Sequence, residues 1–457
     1  MMDTATAAGV VGGCVIGASV PFFRVTTDTR GLTPGDLFVA LRGERFDGHD
    51  FVAQALTSGA AAALVERARA AMLPGNLIAV DDPLPALGAL ATFWRNRFEI
   101  PVAVVAGSNG KTTTKEMIAS IFRAAAGAEA VAATPGNFNN AIGLPLALLA
   151  MRAAHRLAVF EIGINHRGET RGLAAIAQPT IAVITNAQRE HQEFMRSVDE
   201  VAAEHADVVR ALREPGTAIL NADDPQIETW RAVANENGSA VVTFGVDHPA
   251  DVSARYAGHP DGSTLQLVFG AGNAHVLLRV PGRHMAANAL AAAATAHAAG
   301  LPLTAIVSGL EAFRPVRGRL FALTTAAGVR VIDDSYNANP DSVRAAIDVL
   351  AVCAAPRWLV LGDMGEVGDA GPAFHREIGV YARTAGIDRL LTAGALAREA
   401  AAAFGSGAEH FESVDALGTA VARGANAGVS LLVKGSRFMR MERVVAALTG
   451  ERVGGLH

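Results

Sequence analysis

One segment carries the residue types that hold phosphate groups. Residues 106–117 read AGSNGKTTTKEM and follow a short apolar run. Glycines let a turn approach phosphate oxygens, and the first amides of a following helix point at them. Lys111 can reach the outer phosphates of a nucleotide, and the Thr112 hydroxyl is placed to bind Mg²⁺. The segment predicts a nucleotide-binding loop. Val105 departs from the general pattern, which has glycine there, and the alternative is a glycine-rich turn with a surface lysine.

Two further side chains follow predicted strands and could serve the same chemistry. Glu161 ends the apolar run RLAVFEIG, so its carboxylate is expected at the edge of a sheet. His191 lies shortly after the run TIAVITN. An imidazole in this position could bind a metal ion, although Mg²⁺ prefers oxygen. The alternatives are a solvent-exposed glutamate and a structural or surface histidine.

The elements that position these residues alternate between strand and helix. Short apolar runs without polar alternation, such as PVAVVAG, predict buried strands, and helix-like sequence separates them. This order predicts a mostly parallel sheet, whose ligands bind at the carboxyl ends of the strands. Residues 239–280 predict short strands in an antiparallel insertion. A third unit repeats the alternation with VRVIDDSY, PRWLVLGDM, DRLLTAG and SLLVKGS.

Chain length agrees with several such units. At roughly 150 residues per domain, 457 residues suggest about three domains. We predict an α/β protein with a small N-terminal α/β domain (1–98), a central domain that carries the phosphate loop and a mostly parallel sheet (99–312), and a C-terminal Rossmann-like domain (313–457).

Composition excludes several classes of protein. With 51% hydrophobic and 18% charged residues the chain is not disordered, and a net charge of −5 argues against a nucleic-acid binder. Two distant cysteines, Cys14 and Cys353, do not make a disulfide framework and favour the cytoplasm. The alanine-rich run 286–299 is shorter than the ~20 residues that a membrane span needs. We therefore expect no membrane span.

Several longer sequence blocks, together with the phosphate loop, resemble one protein family over nearly the whole chain. Together they resemble the Mur ligases, the peptide-adding enzymes of cell-wall synthesis, and among them the group that adds D-alanyl-D-alanine. The blocks are GDLFVALRGERFDGHDF, GSNGKTTTK, TPGNFNNAIGLPLALL, DDSYNANPDS, LGDMGEVG and VKGSRFMRME. Another Mur-type ligase and folylpolyglutamate synthase are the alternatives within this chemistry. A nucleotide-switched binding protein without ligase activity is the alternative outside it.

The resemblance implies a reaction and its participants. Such ligases join UDP-N-acetylmuramoyl-tripeptide to D-alanyl-D-alanine and split ATP to ADP and phosphate through an acyl phosphate, with Mg²⁺ as cofactor. It implies a UDP-substrate-binding domain, a central ATP-binding domain and a Rossmann-like domain. The expected protein is a cytoplasmic monomer. The third residue of the tripeptide, diaminopimelate or lysine, stays open.

The resemblance also implies residue roles. Lys111, Glu161 and His191 are the implied catalytic residues, and Thr112, Glu161 and His191 the implied metal ligands. The implied ATP-binding residues are Gly107, Ser108, Asn109, Gly110, Lys111, Thr112, Thr113, Asn288, Arg319, Asp334 and Asn337. The implied substrate-binding residues are Asp28, Thr29, Arg30, Asn137, Asn139 and Asn140.

One position departs from the family. Many Mur ligases carry a carbamylated lysine shortly after the metal histidine, and its counterpart here is His205, which cannot form that carbamate. We expect His205 to hold a phosphate oxygen or a water by a hydrogen bond, or else to be an inert surface residue. Glu204 and Asp207 point to other sides of the predicted helix, so neither replaces the lysine.

Overall fold

The computed structural model describes residues 1–270 and 272–451 as three α/β units, each built on its own main sheet. The predicted fold class is confirmed. Among the described residues, no helix combines the length and apolar character that crossing a membrane requires. The alanine-rich run instead forms a helix that is buried against the central sheet, with most of its alanines inaccessible to solvent.

The N-terminal unit is a five-stranded sheet in the order β2-β7-β6-β5-β4, parallel except for β2, beside the short pair β1-β3. Its last helix begins at Pro83, directly after Asp82, whose side chain accepts a hydrogen bond from the Leu84 amide. The strands are β1 (Met2–Asp3), β2 (Cys14–Ile16), β3 (Pro21–Phe22), β4 (Arg24–Thr26), β5 (Asp36–Val39), β6 (Ala62–Glu66) and β7 (Leu77–Val80). The helices are α1 (Thr4–Val11), α2 (Val52–Thr57), α3 (Arg67–Ala70) and α4 (Pro83–Arg95).

The central unit is a nine-stranded sheet in the order β16-β15-β14-β13-β12-β11-β8-β10-β9. The strands are β8 (Val102–Ala106), β9 (Val131–Ala133), β10 (Leu157–Glu161), β11 (Ile181–Ile184), β12 (Thr217–Asn221), β13 (Ala240–Gly245), β14 (Val252–His259), β15 (Gly262–Phe269) and β16 (Gly272–Leu278). The helices are α5 (Lys111–Ala126), α6 (Gly143–Leu149), α7 (Glu169–Ala177), α8 (Val198–Arg210), α9 (Ile227–Glu236), α10 (Arg283–Ala298) and α11 (Leu303–Ala312).

The antiparallel prediction for 239–280 is correct only in part. β14, β15 and β16 pair antiparallel, but β13 runs parallel to both β12 and β14. The reason is that α9 returns the chain before β13, so β13 continues the parallel series, and the antiparallel pairing begins between β14 and β15. The antiparallel strands therefore extend the central sheet.

The C-terminal unit is a six-stranded sheet in the order β17-β18-β22-β19-β20-β21, parallel except for β17. All four predicted strands of this unit are present. The strands are β17 (Phe321–Thr324), β18 (Arg330–Asp334), β19 (Arg357–Gly362), β20 (Arg389–Ala393), β21 (Ala408–Phe411) and β22 (Ser430–Lys434). The helices are α12 (Pro340–Ala351), α13 (Gly371–Thr384), α14 (Ala397–Phe404), α15 (Val414–Gly424) and α16 (Glu442–Thr449).

Candidate active site

A cavity of about 1540 Å³ is lined by residues of all three units. The carboxyl ends of β8, β10 and β11 open into it from the central unit, and those of β18 and β22 from the C-terminal unit. Parallel strands leave their carboxyl ends at one edge of the sheet, which is where ligands bind in α/β folds. Most of the predicted site residues line this cavity: Ser108, Asn109, Gly110, Lys111, Thr112, Thr113, Asn139, Asn140, Glu161, His191, Asn288, Arg319, Asp334 and Asn337.

The phosphate loop joins β8 to α5, and two of its glycines are required by the backbone. Gly107 has φ +127° and Gly110 has φ +84°, a region that favours glycine. A Cβ at Gly107 would overlap the Thr185 hydroxyl, and one at Gly110 would overlap the Asn288 amide. Asn288 of α10 therefore packs directly against the loop.

The loop is held by hydrogen bonds and ends in an uncapped helix. The Asn109 amide donates to Asn186 Oδ1 at 2.9 Å, and the Thr185 hydroxyl donates to the Asn109 carbonyl at 2.7 Å. No side chain caps α5, so the amides of its first turn face the cavity without a side-chain acceptor. Such amides and the helix dipole favour an anion.

Lys111 is folded back over its own loop. Its Nζ donates to the carbonyls of Gly107 and Ser108, the latter at 3.0 Å, and lies 3.4 Å from Glu190 Oε2. All three ammonium donors therefore have protein oxygens within reach. A phosphate that binds Lys111 must replace these contacts.

Thr112 and Glu161 place two oxygen ligands side by side. The Thr112 hydroxyl donates to Glu161 Oε2 at 2.8 Å, and Asn139 Nδ2 donates to Oε1 at 2.8 Å. Both Thr112 and Glu161 are buried. Adjacent buried oxygens, one of them anionic, suit Mg²⁺, which prefers oxygen ligands and completes its shell with water and phosphate. The donor set therefore fits Mg²⁺.

His191 lies at the boundary between the central and C-terminal units. Its Nδ1 is 2.5 Å from Glu366 Oε2, and its Nε2 is 3.9 Å from Glu190 Oε2. Both His191 (φ +49°) and Glu366 (φ +57°) adopt left-handed backbone conformations, which are uncommon outside glycine and concentrate at functional sites. Among the described residues, no three His, Cys, Asp or Glu side chains form a ready-made metal cluster.

Sequence reasoning missed Glu190, which lies between Lys111 and His205. His205 Nε2 is 3.1 Å from Glu190 Oε1 and 3.5 Å from the Ser108 hydroxyl, and its side chain is only 1% exposed. The expectation of an inert surface histidine is wrong, because α8 packs this face against the loop. Burial alone would raise the pKa of Glu190, but Lys111 and the His205 hydrogen bond outweigh it and lower the pKa to about 2. Glu204 and Asp207 do point elsewhere, towards the start of α7 and towards Arg210.

The C-terminal unit contributes a second group of charges. Asp334 Oδ2 lies 2.5 Å from Lys434 Nζ, across neighbouring strands β18 and β22. The Arg319 guanidinium stacks on Tyr336, 4.1 Å from the ring centre. Asn109 and Asn339 exchange amide hydrogen bonds of 3.2 and 3.0 Å between the two units. Residues distant in the sequence thus reach one cavity.

Three domains of one protein family match successive parts of the chain. Residues 23–95, 105–296 and 318–437 match the Mur ligase family catalytic domain, the Mur ligase middle domain and the Mur ligase glutamate ligase domain. The UDP-N-acetylmuramoyl-tripeptide--D-alanyl-D-alanine ligase of Escherichia coli (strain K12) is 41% identical over 446 residues, which cover 96% of each chain. The chain belongs to the Mur ligase family.

Several solved structures share the fold of this Mur ligase. MurF from Acinetobacter baumannii matches with a TM-score of 0.89 at 33% identity, covering 98% of this chain and 99% of that one. A MurF ligase from Thermotoga maritima in complex with ADP matches with a TM-score of 0.82 at 26% identity, covering 93% and 96%. Folylpolyglutamate synthase from Mycobacterium tuberculosis shares the fold at 19% identity, with a TM-score of 0.64.

The residues implied to bind the UDP-substrate are not gathered in one place in this Mur ligase. Asp28, Thr29 and Arg30 form a single turn outside the cavity lining, in which Arg30 donates to Asp28 at 2.6 Å. The three asparagines of this set, Asn137, Asn139 and Asn140, also have different partners. Asn139 binds Glu161, Asn140 Oδ1 accepts from the Gly143 amide at the start of α6, and Asn137 Nδ2 donates to the Tyr336 hydroxyl at 3.2 Å.

Proposed function

We propose that this Mur ligase joins D-alanyl-D-alanine to UDP-N-acetylmuramoyl-tripeptide and splits ATP to ADP and phosphate. The observation that carries the proposal is the 41% identity, over 96% of both chains, to the Escherichia coli enzyme of that name. Three structural features support the reaction: the phosphate loop, the adjacent oxygens of Thr112 and Glu161, and a cavity lined by all three units. We further propose that the protein is a cytoplasmic monomer.

The first step brings two anions together. A carboxylate oxygen of the tripeptide attacks the γ-phosphorus of ATP, the bond to the β-phosphate oxygen breaks, and an acyl phosphate and ADP result. Cations and amide donors must offset the charge that gathers there. We assign this role to Lys111 and to the loop residues from Gly107 to Thr113.

Mg²⁺ would add positive charge at the phosphate oxygens and orient them. We propose that Thr112 and Glu161 hold it, because their oxygens are adjacent and buried. We propose His191 as a ligand of a second ion. Its contact with Glu366 would then have to open.

In the second step the amine of D-alanyl-D-alanine attacks the acyl carbon. A tetrahedral intermediate forms, phosphate leaves with its bonding electrons, and the amine loses a proton to give the amide. We propose that residues 1–98 hold the UDP end of the substrate through Asp28, Thr29 and Arg30, and that Asn137, Asn139 and Asn140 line its path. Residues 313–457 are assigned to ATP through Arg319, Asp334 and Asn337, and Asn288 to the adenine.

Phosphate release under omission of each reactant tests the proposal. We expect release to require ATP, Mg²⁺, the UDP-tripeptide and D-alanyl-D-alanine together. Assaying diaminopimelate and lysine tripeptides in turn identifies the third residue. Release without either peptide substrate would indicate a nucleotide-switched protein, and release only with a different acceptor would indicate another ligase of this fold.

A further inference from the structure

Glu190 is a buried carboxylate at the junction of the phosphate loop and α8. Its side chain is only 6% exposed. Three cationic or potentially cationic groups face it: Lys111 at 3.4 Å, His205 at 3.1 Å and His191 at 3.9 Å. A buried carboxylate is stable only when it is paired in this way.

The hydrogen bond from His205 fixes the carboxylate in place. An ionised carboxylate only accepts hydrogen bonds, so His205 Nε2 carries the proton that it donates. The other ring nitrogen, Nδ1, is buried and finds no hydrogen-bond partner within the described part of the chain. If Glu190 swung away, the buried His205 ring would lose its 3.1 Å bond and keep only the 3.5 Å contact between Nε2 and the Ser108 hydroxyl. The pair with His205 therefore favours one position of the Glu190 carboxylate.

Lys111 carries its charge on a flexible four-carbon stem, which makes it the group that can most easily change partner. Its long side chain can turn from the loop carbonyls and Glu190 towards a phosphate, whereas Glu190 is fixed. Once Lys111 has turned, Glu190 loses its closest full positive charge. The remaining carboxylate then lies beside the loop that receives the phosphates, and like charges repel strongly where water is excluded.

We propose that Glu190 makes nucleotide binding depend on the divalent cation. It holds Lys111 before nucleotide binds, and afterwards leaves a fixed negative charge next to the phosphates that a cation offsets. Glu190 acts through Lys111 and the cation, and is therefore a positioning residue. The inference rests on the proposed use of ATP with Mg²⁺.

Calorimetric binding of a non-hydrolysable ATP analogue, with Mg²⁺ and with EDTA, tests this role. For the wild type we expect a large ratio of the Kd in EDTA to the Kd in Mg²⁺. In Glu190→Gln we expect that ratio to fall at least tenfold, mainly because binding in EDTA tightens. Glu190→Asp keeps the charge and is expected to keep the wild-type ratio. Asp199→Asn, an exposed change of the same charge on α8, is the matched control.

A ratio for Glu190→Gln that equals the wild-type ratio would overturn the proposal. Glu190→Ser is measured in parallel, with thermal melting to identify folded protein. If neither variant folds, the carboxylate serves the fold and the proposal is wrong. The assay contains no tripeptide or dipeptide, so an error in the proposed peptide substrates leaves its outcome unchanged.

Discussion

Arg189 of the central unit and Asp341 of the C-terminal unit form a salt bridge between the two units. Arg189 Nη2 lies 2.6 Å from Asp341 Oδ1, and the Arg189 amide donates to Oδ2 at 2.9 Å. Arg189 Nη1 also lies 2.8 Å from Glu377, and the guanidinium stacks on Phe374, 5.1 Å from its ring centre. The loop that carries Glu190 and His191 is thereby fastened to the C-terminal unit.

Loss of this contact should loosen the assembled site without unfolding either unit. We expect Arg189→Ala to lower kcat/KM for phosphate release about tenfold, because the residues proposed to bind ATP come from both units. X-ray scattering should show a larger radius of gyration for the unliganded variant. The control is Arg376→Ala, which removes an exposed pair with Glu399 inside the C-terminal unit. Equal scattering and equal kinetics for Arg189→Ala and wild type would contradict the prediction.

Lys111→Ala should remove turnover and preserve the fold. A lost charge donor in a phosphoryl-transfer site typically costs ~3–4 kcal/mol of transition-state stabilisation, or a factor of ~10²–10³ in rate. The side chain is 15% exposed, and its ammonium group contacts loop carbonyls and Glu190. Phosphate release at saturating ATP measures the loss, and circular dichroism checks the fold. Arg123→Ala, an exposed change on α5, should behave as wild type. Near-normal turnover of Lys111→Ala would refute the role of the lysine.

The sequence was sufficient for the parts of the fold that depend on local pattern. The strands β8, β10 and β11 were predicted because a strand covered on both faces is a continuous apolar run. The phosphate loop was predicted because its glycines and Lys111 have a fixed spacing between a strand and a helix. An Asp followed by Pro is a pattern typical of a helix start, and α4 begins at this pair, after Asp82.

The missed features depend on pairing in space. β17 and β21 are short edge strands with partly exposed residues, so their pattern differs little from that of a loop. The direction of β13 depends on its neighbours and not on its own composition. The contact between Glu190 and His205 joins residues fifteen positions apart across a loop and a helix. The sequence shows Glu190 directly before His191, but it does not indicate that Glu190 is buried.

Glu161→Gln should weaken the binding of Mg²⁺. Gln keeps the shape of the side chain but loses the charge that makes Glu161 a good oxygen ligand. We expect the Mg²⁺ concentration for half-maximal phosphate release to rise at least tenfold, because loss of even an outer-shell partner of a metal ligand typically costs ~10–100-fold in affinity. A Mg²⁺ titration of steady-state turnover measures it. The exposed change Glu129→Gln is the control, and an unshifted titration for Glu161→Gln would exclude Glu161 from the metal site.

Asp47 should make the N-terminal unit sensitive to acid. Its carboxylate accepts hydrogen bonds from the His49 amide at 3.0 Å and from His49 Nδ1 at 2.6 Å. These bonds lower the pKa of Asp47 from 3.8 to about 2. A lowered pKa means that the stabilisation is fully present above pH 3.8 and is lost as the pH falls towards about 2. At pH 7 this stabilisation is below ~2 kcal/mol, because the Asp47 side chain is 21% exposed and water screens its contacts. We expect Asp47→Asn to lower the Tm at pH 7, and the difference from wild type to shrink between pH ~4 and ~2. Calorimetric melting across this pH range measures the Tm difference, and the exposed change Asp50→Asn is the control. A Tm difference that stays constant with pH would contradict the prediction.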